Sequence, residues 1–94
     1  MPPMRRQGVF WQWADCMLRN QGLVVQTAEG LQLDIQVRTS RQAQVQLFIG
    51  IYSLAGVMMV EEYYPDREGQ SLAIALDWGE DRARRMSVVG PPLY

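Results

Sequence analysis

Apolar and polar side chains alternate strictly through the middle of the chain. Leu31, Leu33, Ile35 and Val37 are interleaved with Gln32, Asp34, Gln36 and Arg38. A period of two puts the first set on one side of a strand and the second on the other. The segment therefore reads as a half-buried strand, one face to a core and one to water. Val45, Leu47, Ile49 and Ile51 repeat the device against Gln44, Gln46, Phe48, Gly50 and Tyr52. Phe48 and Tyr52 make that second face less polar than a solvated face needs. Its expected cover is the edge of a C-terminal helix, the side chains of a neighbouring strand, or another subunit.

Residues 23–27 read as an earlier strand. Ala28, Glu29 and Gly30 form the turn that follows, with Gly30 free to take positive φ. Residues 39–43 are a polar connection and residues 53–56 a second turn. Residues 57–64 then form a last strand, ending at Pro65, which also holds Tyr64 extended. Val57, Met59, Glu61 and Tyr63 share one side of it; Met58, Val60, Glu62 and Tyr64 share the other. Both sides are mixed, which suits a sheet edge covered by a helix or by a second subunit.

Two segments follow helical spacing instead. Across residues 9–19, Phe10, Trp13, Ala14, Met17 and Leu18 make one apolar face, and Gly22 suits the left-handed closure of a helix. The competing reading is a strand starting at Val9, with Val9, Trp11 and Trp13 alternating. In the helical reading Trp11 points off the main apolar face, as a rim contact or a partner-binding residue. After the loop 65–69, with Asp66 or Ser71 as cap, Leu72, Ala75, Leu76, Gly79, Ala83 and Met86 trace a second helical stripe, broadened by Ile74, Trp78 and Arg82. Gly79 weakens the helix but suits close approach to a sheet. Early acids and late arginines suit the helix dipole. Val88 and Val89 suit a small edge strand, and Gly90, Pro91 and Pro92 stop regular structure.

The expected fold is α+β: a helix, a four-stranded antiparallel meander, and a C-terminal helix packed on one sheet face, with both helices on that face. The expected organisation is a flexible arm over residues 1–8, one compact domain over 9–89 and a tail over 90–94.

Composition narrows the chemistry. The chain has 94 residues, 48% hydrophobic and 20% charged, which is globular in kind. Its formal net charge of -1 provides no global field to steer it onto nucleic acid. It has no His and one Cys, and every basic side chain is Arg. The missing types remove Ser-His-Asp and Cys-His arrangements, Schiff-base lysines and a thiolate–imidazole zinc site within one chain. Glu61 and Glu62 point to opposite faces of their strand and make a poor acid–base pair. Asp66 and Glu68, on a loop, are better placed to converge, yet loop acids are normally solvated. No phosphate-loop or dinucleotide spacing is present, so no cofactor or metal is expected, and an enzyme is the less favoured class. Cys16 reads as a packing thiol on the first helix. A lone Cys favours a reducing, cytoplasmic setting. The longest apolar stretch, residues 47–60, is broken by Tyr52, Ser53 and glycine and is no membrane span.

The leading expectation is a non-catalytic protein-binding module, an adaptor, regulator or inhibitor, and a candidate homodimer. Trp11, Phe48, Tyr52, Tyr63, Tyr64 and Tyr94 are more aromatic side chains than so small a core absorbs easily, and such residues anchor interfaces; Met58 and Met59 add an adaptable surface, since one of them should face outward on a regular strand. The alternative is a nucleic-acid-associated regulator using Arg82, Arg84 and Arg85 with the N-terminal arginines. Against it, Glu80–Arg84 and Asp81–Arg85 have the four-residue spacing of surface ion pairs.

Overall fold

In a computed structural model the described residues, 6–15 and 18–89, run as helix, four strands, helix. The alternating segments become β1 (Gln21–Gln26), β2 (Gln32–Thr39), β3 (Val45–Tyr52) and β4 (Met58–Tyr64). Each pairs antiparallel with its neighbour in sequence, giving the sheet order β1-β2-β3-β4. The fold is the expected α+β meander. Gly30 turns β1 into β2 with φ 88, a conformation that a Cβ disfavours.

Ser71 starts α2 (Leu72–Val89): its Oγ accepts the Ile74 N–H at 3.1 Å, filling one of the orphan donors of the first turn. The helix lies over β2 and β3. Ala75 and Ala83 pack there with Leu33, Ile35, Val37, Leu47, Ile49 and Ile51. Gly79 is the point of closest approach. A Cβ added there would lie 2.8 Å from Ile35 Cγ2 and 2.8 Å from Leu47 Cδ1.

Several expectations are corrected. Val88 and Val89 continue α2 and do not form an edge strand; two valines at the end of an established helix cost it only tenths of a kcal/mol, roughly. No acid lies in the first turn of α2 and no base in its last. The dipole argument therefore lapses, because that field acts mainly within the end turns.

The first helix is shorter than its apolar spacing suggests. It is α1 (Gly8–Trp13), and Ala14 is already extended with ψ 127. So short a helix is marginal alone and takes its limits from what it packs against. The Trp13 carbonyl accepts a hydrogen bond from buried Arg38, which stops the turn at that point. Gly22 lies inside β1 and closes no helix. Cys16 and Met17 fall outside the described residues, as do residues 1–5 and 90–94. The described part of the expected arm, Arg6 to Gly8, is tied to the sheet or helical.

The two helices lie on opposite faces of the sheet. β3 and β4 pair Phe48 with Tyr63 and Leu47 with Tyr64, so alternate residues serve alternate faces. α2 takes the face of Leu47, and α1 takes the face of Phe48. The expectation of both helices on one face fails because the Phe48 face is also apolar enough to need cover.

Candidate interaction surface

The α1 face is built around a carboxylate. Glu61 points out of β4 beneath α1 and accepts hydrogen bonds from the Gln7 N–H at 3.0 Å and the Phe10 N–H at 3.2 Å. A side chain from a distant strand thus does what Gln7, which makes no side-chain cap bond, does not. The same carboxylate accepts the Tyr52 hydroxyl at 2.9 Å. Burial, then the bond to Glu61, pushes the Tyr52 phenol well above its ordinary pKa.

Aromatic rings fill the space between helix and sheet. Phe10 meets Phe48 edge-on at 5.3 Å, and Trp13 meets Tyr63 edge-on at 5.5 Å. The Arg38 guanidinium lies 3.9 Å from the Trp13 ring centroid and donates to Gln46 Oε1 at 2.7 Å. Beside this cluster Arg6 Nη1 donates to the buried Asp34 carboxylate at 2.5 Å, with its guanidinium 4.1 Å from the Phe10 ring. Gln36 Nε2 donates to the same carboxylate at 3.1 Å.

Phe48 and Tyr52 are therefore internal, each at 0% exposure. As interaction candidates they are corrected: α1 and Arg6 cover them, together with Glu61 of the neighbouring strand, which was among the expected covers. Tyr63 is half-buried against Trp13. Tyr64 is half-buried on the other face, edge-on to Trp78 at 5.3 Å. Met58 is half-buried and its neighbour Met59 is exposed. Trp11 is the aromatic candidate that reaches solvent, at 65% exposure, while Phe10 and Trp13 on α1 turn inward. The sequence reading also assigned Gln32, Asp34 and Arg38 to water. All of them are buried.

The arginine candidates are all engaged. Arg82 grips Glu62 with Nε at 2.7 Å and Nη2 at 2.9 Å. That bond, assisted by the Tyr64 hydroxyl at 2.7 Å, holds the Glu62 carboxyl below its usual range against the opposing effect of burial. Arg84 pairs with Glu80 at 2.8 Å, and Arg85 pairs with Asp81, both in the expected four-residue spacing.

Glu61 and Glu62 serve opposite faces, as their alternation requires, and share no site. A cavity of about 390 Å³ opens near the start of β1, lined by Arg19, Asn20, Gln21, Val37, Thr39 and Leu72. Its lining holds no carboxylate or thiol, so it offers no acid–base pair. Among the described residues no group of three or more His, Cys, Asp or Glu converges as metal ligands, and no helix is long and apolar enough to cross a membrane.

Glu61 is the hub that sequence reasoning missed. Its signal lay in the pattern: Glu61 shares a side with Tyr63, and Phe48 and Tyr52 interrupt the polar side of β3. An acid among aromatics on a nominally wet face is the mark of a face covered by something with free N–H groups. Comparison with known proteins finds no family model, no curated protein and no solved structure that matches this chain.

Proposed function

We propose that this chain is a cytoplasmic, non-catalytic protein-binding module of the adaptor, regulator or inhibitor kind, which also self-associates. The observation that carries the reading is Trp11. A tryptophan left 65% exposed on a helix whose other aromatics, Phe10 and Trp13, are packed inward has the disposition of an interface anchor. It sits on a backbone fixed by Glu61, so the ring is presented with little ordering cost. Met59 on β4 and Val57 just before it, both exposed, add apolar surface elsewhere on the chain.

The nucleic-acid alternative has weaker support. Arg82, Arg84 and Arg85 each spend their charge on a neighbouring carboxylate, and Arg6 spends its own on Asp34. A phosphate backbone would have to displace those partners.

The test is affinity capture on the immobilised chain, followed by titration of the purified captured protein against wild type and Trp11→Ala. The expected result is affinity lowered about tenfold or more in the variant. Equal affinity for both would overturn the reading of Trp11 as the anchor.

A further inference from the structure

The two edges of the sheet are not alike. β4 carries Glu61 and Glu62 at its centre, has α1 packed against it, and pairs with β3 through a register shift at Ile51 and Tyr52. Charges, cover and irregularity are the usual protections of a sheet edge. β1 has none of them. Its sequence, Gln21–Gln26, holds no charge and no proline, and it pairs in unbroken register with β2. Among the described residues no strand lies on its other side. Val24 stands 59% exposed on it. Because α2 lies over β2 and β3, Leu23 and Val25 on the α2 side are only half-buried.

We propose that the β1 edge is the self-association surface, where a second copy adds its own β1 antiparallel and continues the sheet. The proposal rests on the self-associating part of the reading above and is independent of Trp11.

The geometry selects a register. Thr27 N–H donates to the Leu31 carbonyl across the hairpin. Alternation then turns Val25, Leu23 and Gln21 toward β2, and leaves the backbone N–H and C=O of Gln26, Val24 and Gly22 facing outward. A two-fold axis through Val24 sets Val24 opposite itself and Gly22 opposite the second copy's Gln26. Every outward group on both chains then finds a partner, which no shifted register achieves. The same axis sets Leu23 against the second copy's Val25, joining half-buried apolar residues on the α2 side. It also sets exposed Arg19, just before β1, opposite exposed Glu29 at the second copy's hairpin turn. The contact is isologous, so each of these pairings occurs twice. A strand edge buries less than a standard interface, so a reversible, concentration-dependent dimer is the form it takes.

The experiment is sedimentation equilibrium over a concentration series, at low salt, on wild type, Val24→Lys, Arg19→Glu, the double variant Arg19→Glu/Glu29→Arg, and Trp11→Ala. The expected result is a wild-type dimer that dissociates on dilution. Val24→Lys should be monomeric throughout with an unchanged circular dichroism spectrum, since the side chain it replaces is exposed. Arg19→Glu should weaken the dimer about tenfold, and the double variant should restore it. Trp11→Ala should leave the dimer constant unchanged.

A wild type monomeric at every concentration overturns the proposal and leaves the Trp11 reading standing. A Val24→Lys dimer as tight as wild type, or a dimer lost in Trp11→Ala, places self-association elsewhere and overturns it. A double variant no tighter than Arg19→Glu overturns the register.

Discussion

Glu61 and Glu62 are adjacent in β4 and fasten different helices to opposite faces of one sheet. Glu61 holds the first turn of α1 through the Gln7 and Phe10 N–H groups, and Glu62 holds α2 through Arg82. The alternation that disqualifies them as a catalytic pair is what lets them act as separate clasps.

Removing the first clasp should free α1 without dissolving the sheet. Glu61→Ala orphans the helix N–H groups and the buried Tyr52 hydroxyl. The expected loss is about 2–3 kcal/mol, since unpaired buried polar groups cost roughly 1–3 kcal/mol each and some regain water. Urea denaturation gives the loss. A red shift of tryptophan emission in the native baseline, from exposure of Trp13, shows that α1 has come away.

The second clasp makes stability fall with acid. The Glu62 carboxyl in the folded chain titrates below its ordinary 4.5, chiefly because Arg82 is bonded to it. A carboxyl whose folded pKa lies below its unfolded one stabilises fully above the unfolded value and loses that contribution as pH falls through the folded value. Thermal midpoints should therefore decline below about pH 4.5, and Glu62→Gln should flatten that part of the decline. At neutral pH the substitution should cost about 1 kcal/mol, because the pair is partly exposed and screened.

Alkali should act through Tyr52 and Tyr64. Both phenols are pushed above the ordinary 10.0, by burial first and then by bonds to Glu61 and Glu62 respectively. A group whose folded pKa is raised stabilises fully below its unfolded pKa and ceases to as pH rises through the folded value. Stability should hold up to about pH 10.0 and fall above it. Followed by tyrosinate absorbance, these phenols should ionise late and together with loss of circular dichroism. Tyr52→Phe should weaken the alkaline loss.

Gly79→Ala separates helix propensity from packing. Propensity alone favours alanine by about 1 kcal/mol. The new methyl, however, would sit 2.8 Å from atoms of Ile35 and Leu47, both fully buried. Overpacking of this kind costs roughly 1–3 kcal/mol, so the variant should be less stable than wild type by about 1 kcal/mol in urea.

β2 and β3 were legible because each turns an unbroken row of aliphatic residues toward α2, and a row on one face writes itself as alternation. Gly30 and Ser71 were legible because a left-handed turn and a helix cap each demand particular chemistry at one position. The other face was not legible for an equally physical reason. Asp34 and Arg38 look solvated by residue type, but Arg6, Gln46 and the Trp13 carbonyl of α1 supply polar partners that make burial of these charges tolerable. Those partners are remote in sequence. Residues 9–19 misled for a related reason: the helix ends where Arg38 takes the Trp13 carbonyl, and nothing within the segment marks that point.

The docking of α1 on β4 also sets an order of assembly. The strands join through consecutive hairpins, so each can close as soon as its successor exists, at small entropic cost. The helix preceding all of them cannot. Its clasp is residue 61, and until β4 has closed on β3 the rings of Phe48, Tyr52 and Trp13 have no shared shelter. The first helix in the chain is thus the one whose docking must wait for the last strand.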